Sequence, residues 1–217
     1  MYMTWHMVNL NSSSARRPHR LRERLKEATR EAILEAAEEA FARDGVQAAR
    51  METIAKAAGV AVGTLYNHFE DRTALLDALM RARRADLIRR LDEALEANPR
   101  APFAEQLDEF MKAAQAHFTD HGGFLRVLME AEYVNVGKRV LQPGELMRQI
   151  RERLGVLVER GVRAKALRAD DVAYFSWFFL GSMKGLLARR MKGLGPEPLS
   201  AQREALIRFL LVGGGTK

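Results

Sequence analysis

The sequence predicts an all-α protein in which a three-helix head with a helix-turn-helix precedes a larger helical domain. Apolar residues recur every three or four positions rather than every second position, which favours helices over strands. Glycines and prolines fall between long segments, where helices end. Residues 51–70, METIAKAAGVAVGTLYNHFE, carry the spacing of a helix-turn-helix.

Composition sets the class of protein. The chain has 217 residues, 47% of them apolar, which is enough for one large packed domain or two small ones. It contains no cysteine, which excludes disulfides and thiolate metal sites and fits a reducing cytoplasm. The first residues, MYMTWHMVNLNSSS, lack the basic and apolar regions of a secretory signal. We therefore expect a cytoplasmic protein with no membrane partner.

The basic charge is unevenly distributed. The net charge is +7, yet residues 1–80 hold 11 Lys/Arg and 11 Asp/Glu. Within them, residues 15–30 contain seven basic and two acidic residues. We interpret residues 1–21 as a disordered basic N-terminal arm, which either lies along phosphates or in a minor groove or only keeps the chain soluble.

The head is predicted over residues 22–80. A first helix runs from about Arg22 to Arg43, and Gly45 follows it as a C-terminal glycine does. Asp71 is a plausible N-cap for a long fourth helix that Asn98-Pro99 stops. This fourth helix joins the head to residues 81–217.

The helix-turn-helix has small and apolar residues at its inward positions. Ala55 lets the second helix cross close above the first, and Gly59 permits positive φ at the corner. Val60 and Leu65 fill the angle behind the corner. These residues predict a tight helical corner.

The second helix of this unit presents a polar face. Counting from Leu65, Gly63 and Asn67 lie on the outward side, where a glycine permits close approach and an asparagine can read an adenine edge. Thr64, Tyr66 and His68 carry groups suited to phosphate oxygens. Alternatively, Tyr66 and His68 only cover the rim of a three-helix core. The combined pattern favours DNA binding.

The larger domain, residues 81–217, contains an unusual apolar segment. VAYFSWFFLGSM, residues 172–183, has no charged residue, but twelve residues are too few to span a membrane. A helix that is apolar all round must be covered on all sides, by its own domain and by a second subunit or by a monomeric bundle. We favour a four-helix dimer interface that includes Trp177, Phe178, Gly181, Lys184, Gly185 and Phe209.

An effector pocket between helices should be mainly apolar. The candidates, each of which can instead be ordinary core, are Phe110, His117, Phe118, Phe124, Met129, Tyr133, Met147 and Trp177. His117 and His121 have a spacing that can hold a metal, but Gly122 ends the helix there. We interpret them as protonated histidines at a helix C-terminus and predict no metal site and no cofactor. Enzyme motifs are also lacking, so catalysis is not expected.

The string IAKAAGVAVGTLYNHFEDRTALL, preceded by a helix that ends in FARDG, closely resembles the DNA-binding domain of the TetR family of bacterial transcriptional regulators. The resemblance covers about residues 28–80. It implies an all-helical homodimer with a DNA-binding head and a variable domain that binds a small effector. The helix that ends in FLGSMKGLLARRM is similar to the family's dimerisation helix.

The resemblance also implies DNA-contacting positions. Gly63, Thr64, Tyr66 and His68 match family positions that contact DNA, and Arg72 stands where a phosphate-binding lysine is common. The chain departs from the family pattern in that Ala49-Arg50 and Ala61 replace hydroxyl residues, so two N-caps are missing, although Arg50 can bind a phosphate. Val62 replaces a longer polar residue and can touch a thymine methyl. The predicted DNA-binding residues are Arg50, Ala61, Val62, Gly63, Thr64, Tyr66, Asn67, His68 and Arg72.

Together these features predict a dimeric, sequence-specific regulator, a repressor that a small, largely apolar effector releases from a palindromic or near-palindromic operator. One alternative is a constitutive DNA-binding or architectural dimer without an effector. Another is a helical small-molecule binder without a DNA target. A pocket filled by the protein's own side chains would favour the constitutive dimer.

Overall fold

The computed structural model describes residues 16–134, 144–194 and 199–212. Within these ranges every regular element is helical, which confirms the all-α prediction. The helices are α1 (Arg16–Asp44), α2 (Met51–Ala57), α3 (Val62–His68), α4 (Arg72–Ala97), α5 (Phe103–Asp120), α6 (Phe124–Val134), α7 (Glu145–Arg163), α8 (Val172–Met191) and α9 (Leu199–Val212). A 3-10 turn, Ala169–Asp171, precedes α8.

The chain divides into two compact units, residues 1–79 and 80–217. In the first unit α1 packs on α2, and α2 packs on α3. The core of this unit consists of large apolar side chains with almost no exposure, namely Ile33, Leu34, Phe41, Ile54, Leu65 and Phe69. Burial of these side chains, each worth about 1.5–3 kcal/mol, holds the short helices α2 and α3 on α1.

Helix α1 begins at Arg16, six residues before the predicted start at Arg22. Residues 16–21, RRPHRL, include three arginines and one leucine, which are good helix formers. Pro18 does not interrupt the helix, because an N–H in the first turn has no helical acceptor to lose. Residues 16–21 are therefore helical, and the rest of the predicted arm lies outside the described residues.

Helix α4 is capped as predicted. The Ala74 N–H donates to Asp71 Oδ1 at 2.7 Å, which confirms Asp71 as the N-cap. The helix ends at Ala97, immediately before Asn98-Pro99. Its residues 72–79 belong to the first unit and its residues 80–97 to the second.

The second unit is a helical bundle around one apolar core. Helix α5 packs against α7 and α9, and α8 packs against the same two helices. Side chains of α4, α5, α7, α8 and α9 meet in the core. Arg153 on α7 donates from Nε and Nη2 to the carboxylate of Asp92 on α4, at 2.8 and 2.9 Å. This bidentate pair joins α7 to α4.

Gly161 allows α7 to pass close to α5. A Cβ at this position would lie 2.8 Å from Cε2 of the buried Phe103 ring, far inside van der Waals contact. The ring also packs at a tilt against Phe175, with centroids 6.0 Å apart, which limits its room to move. A side chain at position 161 would therefore displace the core.

We expect Gly161→Ala to lower the free energy of unfolding by about 1–3 kcal/mol, because it overpacks this contact. Gly155→Ala on the same helix is the matched control, since a Cβ there meets nothing within 4 Å. The control should stabilise the chain by about 0.5–1 kcal/mol through helix propensity. Urea unfolding followed by circular dichroism measures both. Equal effects of the two substitutions would contradict the packing argument.

Candidate nucleic-acid interface

Helices α2 and α3 form a tight helix-turn-helix. Gly59 has φ of +69°, which confirms the predicted positive-φ corner. The Gly59 N–H donates to the Lys56 carbonyl at 3.2 Å, and the Val60 N–H donates to the Ala55 carbonyl at 3.0 Å. These bonds complete the end of α2 and turn the chain towards α3.

The outward face of α3 is open to solvent. Leu65 is fully buried, and Gly63, Tyr66 and Asn67 are exposed, as the count from Leu65 predicted. The Tyr66 side chain is 45% exposed, so its hydroxyl is free to reach a partner. The remaining predicted positions are also on the surface: Ala61 and Val62 are exposed, and Thr64 and His68 are half-buried. One short helix thus presents small and hydrogen-bonding groups together.

Neither helix of this motif has a side-chain N-cap. Ala61 is the N-cap residue of α3 and has no side-chain hydrogen bond, as its methyl group dictates. For α2 the N-cap residue is Arg50 rather than Ala49, and it also makes no capping bond. Ala49 is buried one position earlier, so the predicted missing cap is displaced by one residue.

Arg72 has a role within the first unit that the sequence did not reveal. Its Nη1 donates to the Gln47 backbone carbonyl, and its Nη2 donates to Gln47 Oε1 at 3.1 Å. The guanidinium thereby fastens the start of α4 to the segment before α2. It has five N–H donors, so some remain for a phosphate. Arg50 is exposed and lines the same surface depression as Arg72.

Gln47 is the residue that sequence reasoning missed here. It lies 25 positions from Arg72, and no periodic pattern links a polar residue in a loop to the first residue of a distant helix. The one signal in the sequence that could have identified Gln47 is its position three residues before the predicted Arg50.

The second unit contains an apolar cavity of about 100 Å³. We call it the apolar cavity. Among the described residues that line it, Lys184 alone is charged. The lining residues are Leu87, Leu91, Phe110, Ala114, Phe118, Leu125, Leu128, Leu146, Met147, Ile150, Phe179, Leu180, Met183, Lys184, Leu187 and Ala188.

Three of the eight candidate pocket residues, Phe110, Phe118 and Met147, line this cavity. His117 and Phe124 are fully buried outside its lining, with ring centroids 5.5 Å apart. The side chains of Met129 and Tyr133, two further candidates, lie outside the described set.

Trp177 does not line the cavity and is 68% exposed. Phe175, Phe179 and Met183 form the buried stripe of α8, and a residue two positions from Phe175 points to the opposite side. Its prediction as a pocket residue is therefore wrong. The other residues predicted for the dimer interface, Phe178, Gly181, Lys184, Gly185 and Phe209, are exposed as well.

His117, near the end of α5, is not protonated as predicted. His117 has no exposed surface, and burial lowers its pKa to about 4. Desolvation of the charged form outweighs any gain from the helix C-terminus. His117 is therefore neutral near pH 7.

Comparisons with known proteins agree with this architecture. Residues 33–79 match the model of the bacterial regulatory proteins of the tetR family. The HTH-type transcriptional repressor KstR2 of Rhodococcus jostii is 26% identical over 142 residues, which cover 64% of this chain and 68% of that protein.

Solved structures share the fold. PfmR from Thermus thermophilus, a TetR family transcriptional regulator, superposes with a TM-score of 0.71 at 24% identity, covering 85% of this chain and 99% of its own. The fatty acid degradation regulator FadR from Bacillus halodurans gives a TM-score of 0.63 at 22% identity, covering 87% and 97%. At these identities the likeness concerns the fold.

Over the described ranges no helix combines the length and apolar character needed to cross a bilayer. The relatives are regulators, in agreement with the prediction that this chain is not an enzyme. The helix-turn-helix geometry, the matched residues 33–79 and the shared fold lead to one conclusion: residues 33–79 form a DNA-binding domain of the tetR family of bacterial regulatory proteins, and the chain has the fold of TetR family transcriptional regulators.

Proposed function

We propose that the protein is a homodimeric repressor that binds a palindromic operator through α3 and is released by a small, largely apolar effector. The observation that carries the effector half is the apolar cavity, because a void walled by leucine, phenylalanine and methionine accepts apolar groups and excludes water. The repressor half is supported by the likeness to the KstR2 repressor.

The DNA-binding half rests on the exposed face of α3. Asn67 can pair with an adenine edge, while Tyr66, Thr64 and His68 bind phosphates. Residues 1–80 carry no net charge with Arg50 and Arg72 included, so these two arginines act through their positions rather than through a general positive field. Ala61 and Val62 lie at the start of the helix, where Val62 can touch a thymine methyl.

The dimer is supported by an exposed apolar face. On α8, Tyr174, Trp177 and Phe178 are 66%, 68% and 63% exposed, and on α9 Phe209 is 60% exposed. Gly181 and Gly185 continue the same stripe one turn apart and permit close helix approach. Soluble monomers rarely expose so many large apolar side chains together. A second copy of α8 and α9 would bury them. A dimer has two α3 helices, one for each half-site of a palindromic operator, and such half-sites lie about 34–36 Å apart, one turn of DNA.

Effector binding is expected to enlarge the apolar cavity. Ligand sites commonly measure about 300–1,000 Å³, several times the volume seen here. A ligand therefore favours a conformation with separated helices over this one. Because α4 contributes Leu87 and Leu91 to the wall and begins at Arg72, its displacement would alter the spacing of the DNA-binding units.

Fatty acids are the first effectors to test. A related fold belongs to a regulator of fatty acid degradation in Bacillus halodurans. The apolar wall suits an acyl chain, and the Lys184 ammonium can pair with a carboxylate.

The small cavity volume favours a second candidate, the constitutive DNA-binding dimer without an effector. About 100 Å³ holds only a few atoms, so the side chains of the bundle nearly fill their own interior. The two candidates differ in one measurable property, the dependence of operator affinity on a ligand.

We expect a saturating effector to weaken operator binding at least about 10-fold, within the usual range of allosteric coupling. The operator is first selected from random duplexes, and its Kd is then measured by fluorescence anisotropy with and without fatty acids of increasing length. Failure to select any sequence would refute the DNA-binding half. Unchanged operator affinity across the series, as the constitutive dimer requires, would refute the effector half.

Ala114→Leu tests whether a fatty acid acts from within the apolar cavity or elsewhere on the protein. Ala114 lines the apolar cavity on α5, and a leucine there fills much of it. Operator binding should persist while the response to the effector is lost. Ala116→Leu is the matched control, because Ala116 is exposed on the same helix and the response should remain.

A further inference from the structure

Three potential metal ligands meet where α5 ends beside α4. Asp86 lies on α4, His117 lies in the last turn of α5, and His121 follows the end of α5. One ligand atom from each residue lies within 4.8 Å of the others. We call these residues the HHD cluster; it belongs to neither the DNA-binding face nor the lining of the apolar cavity.

The distances within the HHD cluster approach those of a metal site. Asp86 Oδ2 lies 3.0 Å from His117 Nδ1 and 3.6 Å from His121 Nε2. Ligand atoms bound at about 2.0–2.1 Å in a tetrahedron are about 3.3 Å apart, which falls between these two distances. Small side-chain rotations would place all three atoms around one ion.

Burial of the His117 imidazole costs free energy that a favourable interaction of the ring would have to offset. The side chain has no exposed surface, and its Nε2 has no hydrogen-bond partner among the described residues. The rings of Phe118 and Phe124 contact it edge-on, with centroids 5.2 and 5.5 Å away. An unsatisfied buried polar atom costs about 1–3 kcal/mol, and a phenylalanine in place of His117 would avoid that cost. A bond from Nδ1 to a metal would leave Nε2 without a partner, but it is a favourable interaction that a phenylalanine could not make.

The charges around the cluster tolerate a cation. Asp86 accepts hydrogen bonds from Arg89 and from Arg90 Nε, the latter at 2.7 Å. Each arginine also has another acid: Arg89 Nη1 lies 2.7 Å from Glu93, and Arg90 Nη1 lies 2.7 Å from Asp120. Both therefore keep a partner when the Asp86 carboxylate turns to an ion. Three carboxylates against two guanidinium groups leave one negative charge.

We propose that Asp86, His117 and His121 bind a divalent transition-metal ion of the zinc type. Two imidazole nitrogens and one carboxylate oxygen are ligands that zinc prefers, whereas magnesium and calcium prefer oxygen alone. The three protein ligands leave a fourth position for water. The ion would fasten the C-terminal end of α5 to α4 within the second unit.

The test is titration of the full chain, freed of metal by a chelator, with CoCl2 and then ZnCl2. Tetrahedral cobalt gives strong visible absorption, and zinc should displace it at one ion per chain. His121→Gln should weaken cobalt binding at least about 100-fold, since even the loss of a residue that only orients a ligand costs 10–100-fold. His19→Gln, on α1, is the control and should leave the affinity unchanged. His121 is a partly exposed residue at a helix end, so its substitution should preserve the fold.

Long-range NMR of the imidazole nitrogens in the wild-type chain gives an answer that needs no substitution. Zinc should shift the ring nitrogens of two of the five histidines and leave the other three unchanged. No cobalt absorption, an equal loss in His19→Gln, or zinc-induced shifts at other histidines would each overturn the proposal.

Discussion

Replacing Tyr66 and His68 together with alanine is expected to abolish operator binding by a chain that still folds and dimerises. Hydrogen bonds to a charged phosphate contribute about 1.5–3 kcal/mol each, and a symmetric dimer loses each contact twice. Operator affinity should therefore fall at least about 1,000-fold. The Tyr66 ring is half exposed and contributes little to the core. A loss of operator affinity in the folded variant would therefore reflect lost contacts with DNA.

Fluorescence anisotropy at one fixed salt concentration measures this loss, and circular dichroism checks the fold. Glu35→Ala is the control, since Glu35 is exposed and lies on α1 rather than on α3. Tyr66→Ala alone serves if the double variant is unstable, because His68 is half-buried beside Phe69 with ring centroids 6.2 Å apart. Wild-type affinity in a folded double variant would show that α3 is not the recognition helix.

Phe178→Asp is expected to convert the dimer into monomers. The side chain is 63% exposed in one chain, so the substitution does not touch the core. In the proposed interface it would place two carboxylates in an apolar contact, where desolvation costs several kcal/mol for each ion. The dimer dissociation constant should rise at least about 100-fold.

Sedimentation velocity over a concentration series measures the dissociation constant. Val156→Asp is the matched control, because Val156 is also an exposed apolar residue, 42% exposed, but lies on α7. A monomeric Phe178→Asp variant should also bind a full operator weakly, since each α3 would reach its half-site alone. A variant that remains dimeric would show that the partner covers another face.

The first unit was largely predictable because its signals are local. Gly59, the inward Leu65 and the Asp71 cap each act within a few residues, where helical periodicity and backbone geometry are decisive. The prediction placed the start of α1 too late because it followed the run of basic residues, which indicated an arm. The helix propensity of these residues favoured a helix instead, and the helix extends back to Arg16.

The second unit was less predictable because its helices carry ambiguous patterns. Segment 172–183 is apolar on every side, so periodicity could not tell that Phe175 faces the core and Trp177 faces solvent. The pairing of His117 with Asp86 spans 31 residues and depends on how α5 lies against α4. Contacts of that kind depend on how the helices pack, and no local spacing of residues in the sequence predicts them.

The brevity of α3 has a genetic consequence. Seven residues form about two turns, too few for an isolated helix to persist in water, and α3 has no side-chain cap to assist it. It is held in place by packing on α2, which in turn packs on α1, and by the fully buried Leu65 in their common core. A screen for mutants that fail to bind DNA should therefore recover substitutions on the buried side of α1, at Ile33 or Phe41, that never come near a base pair.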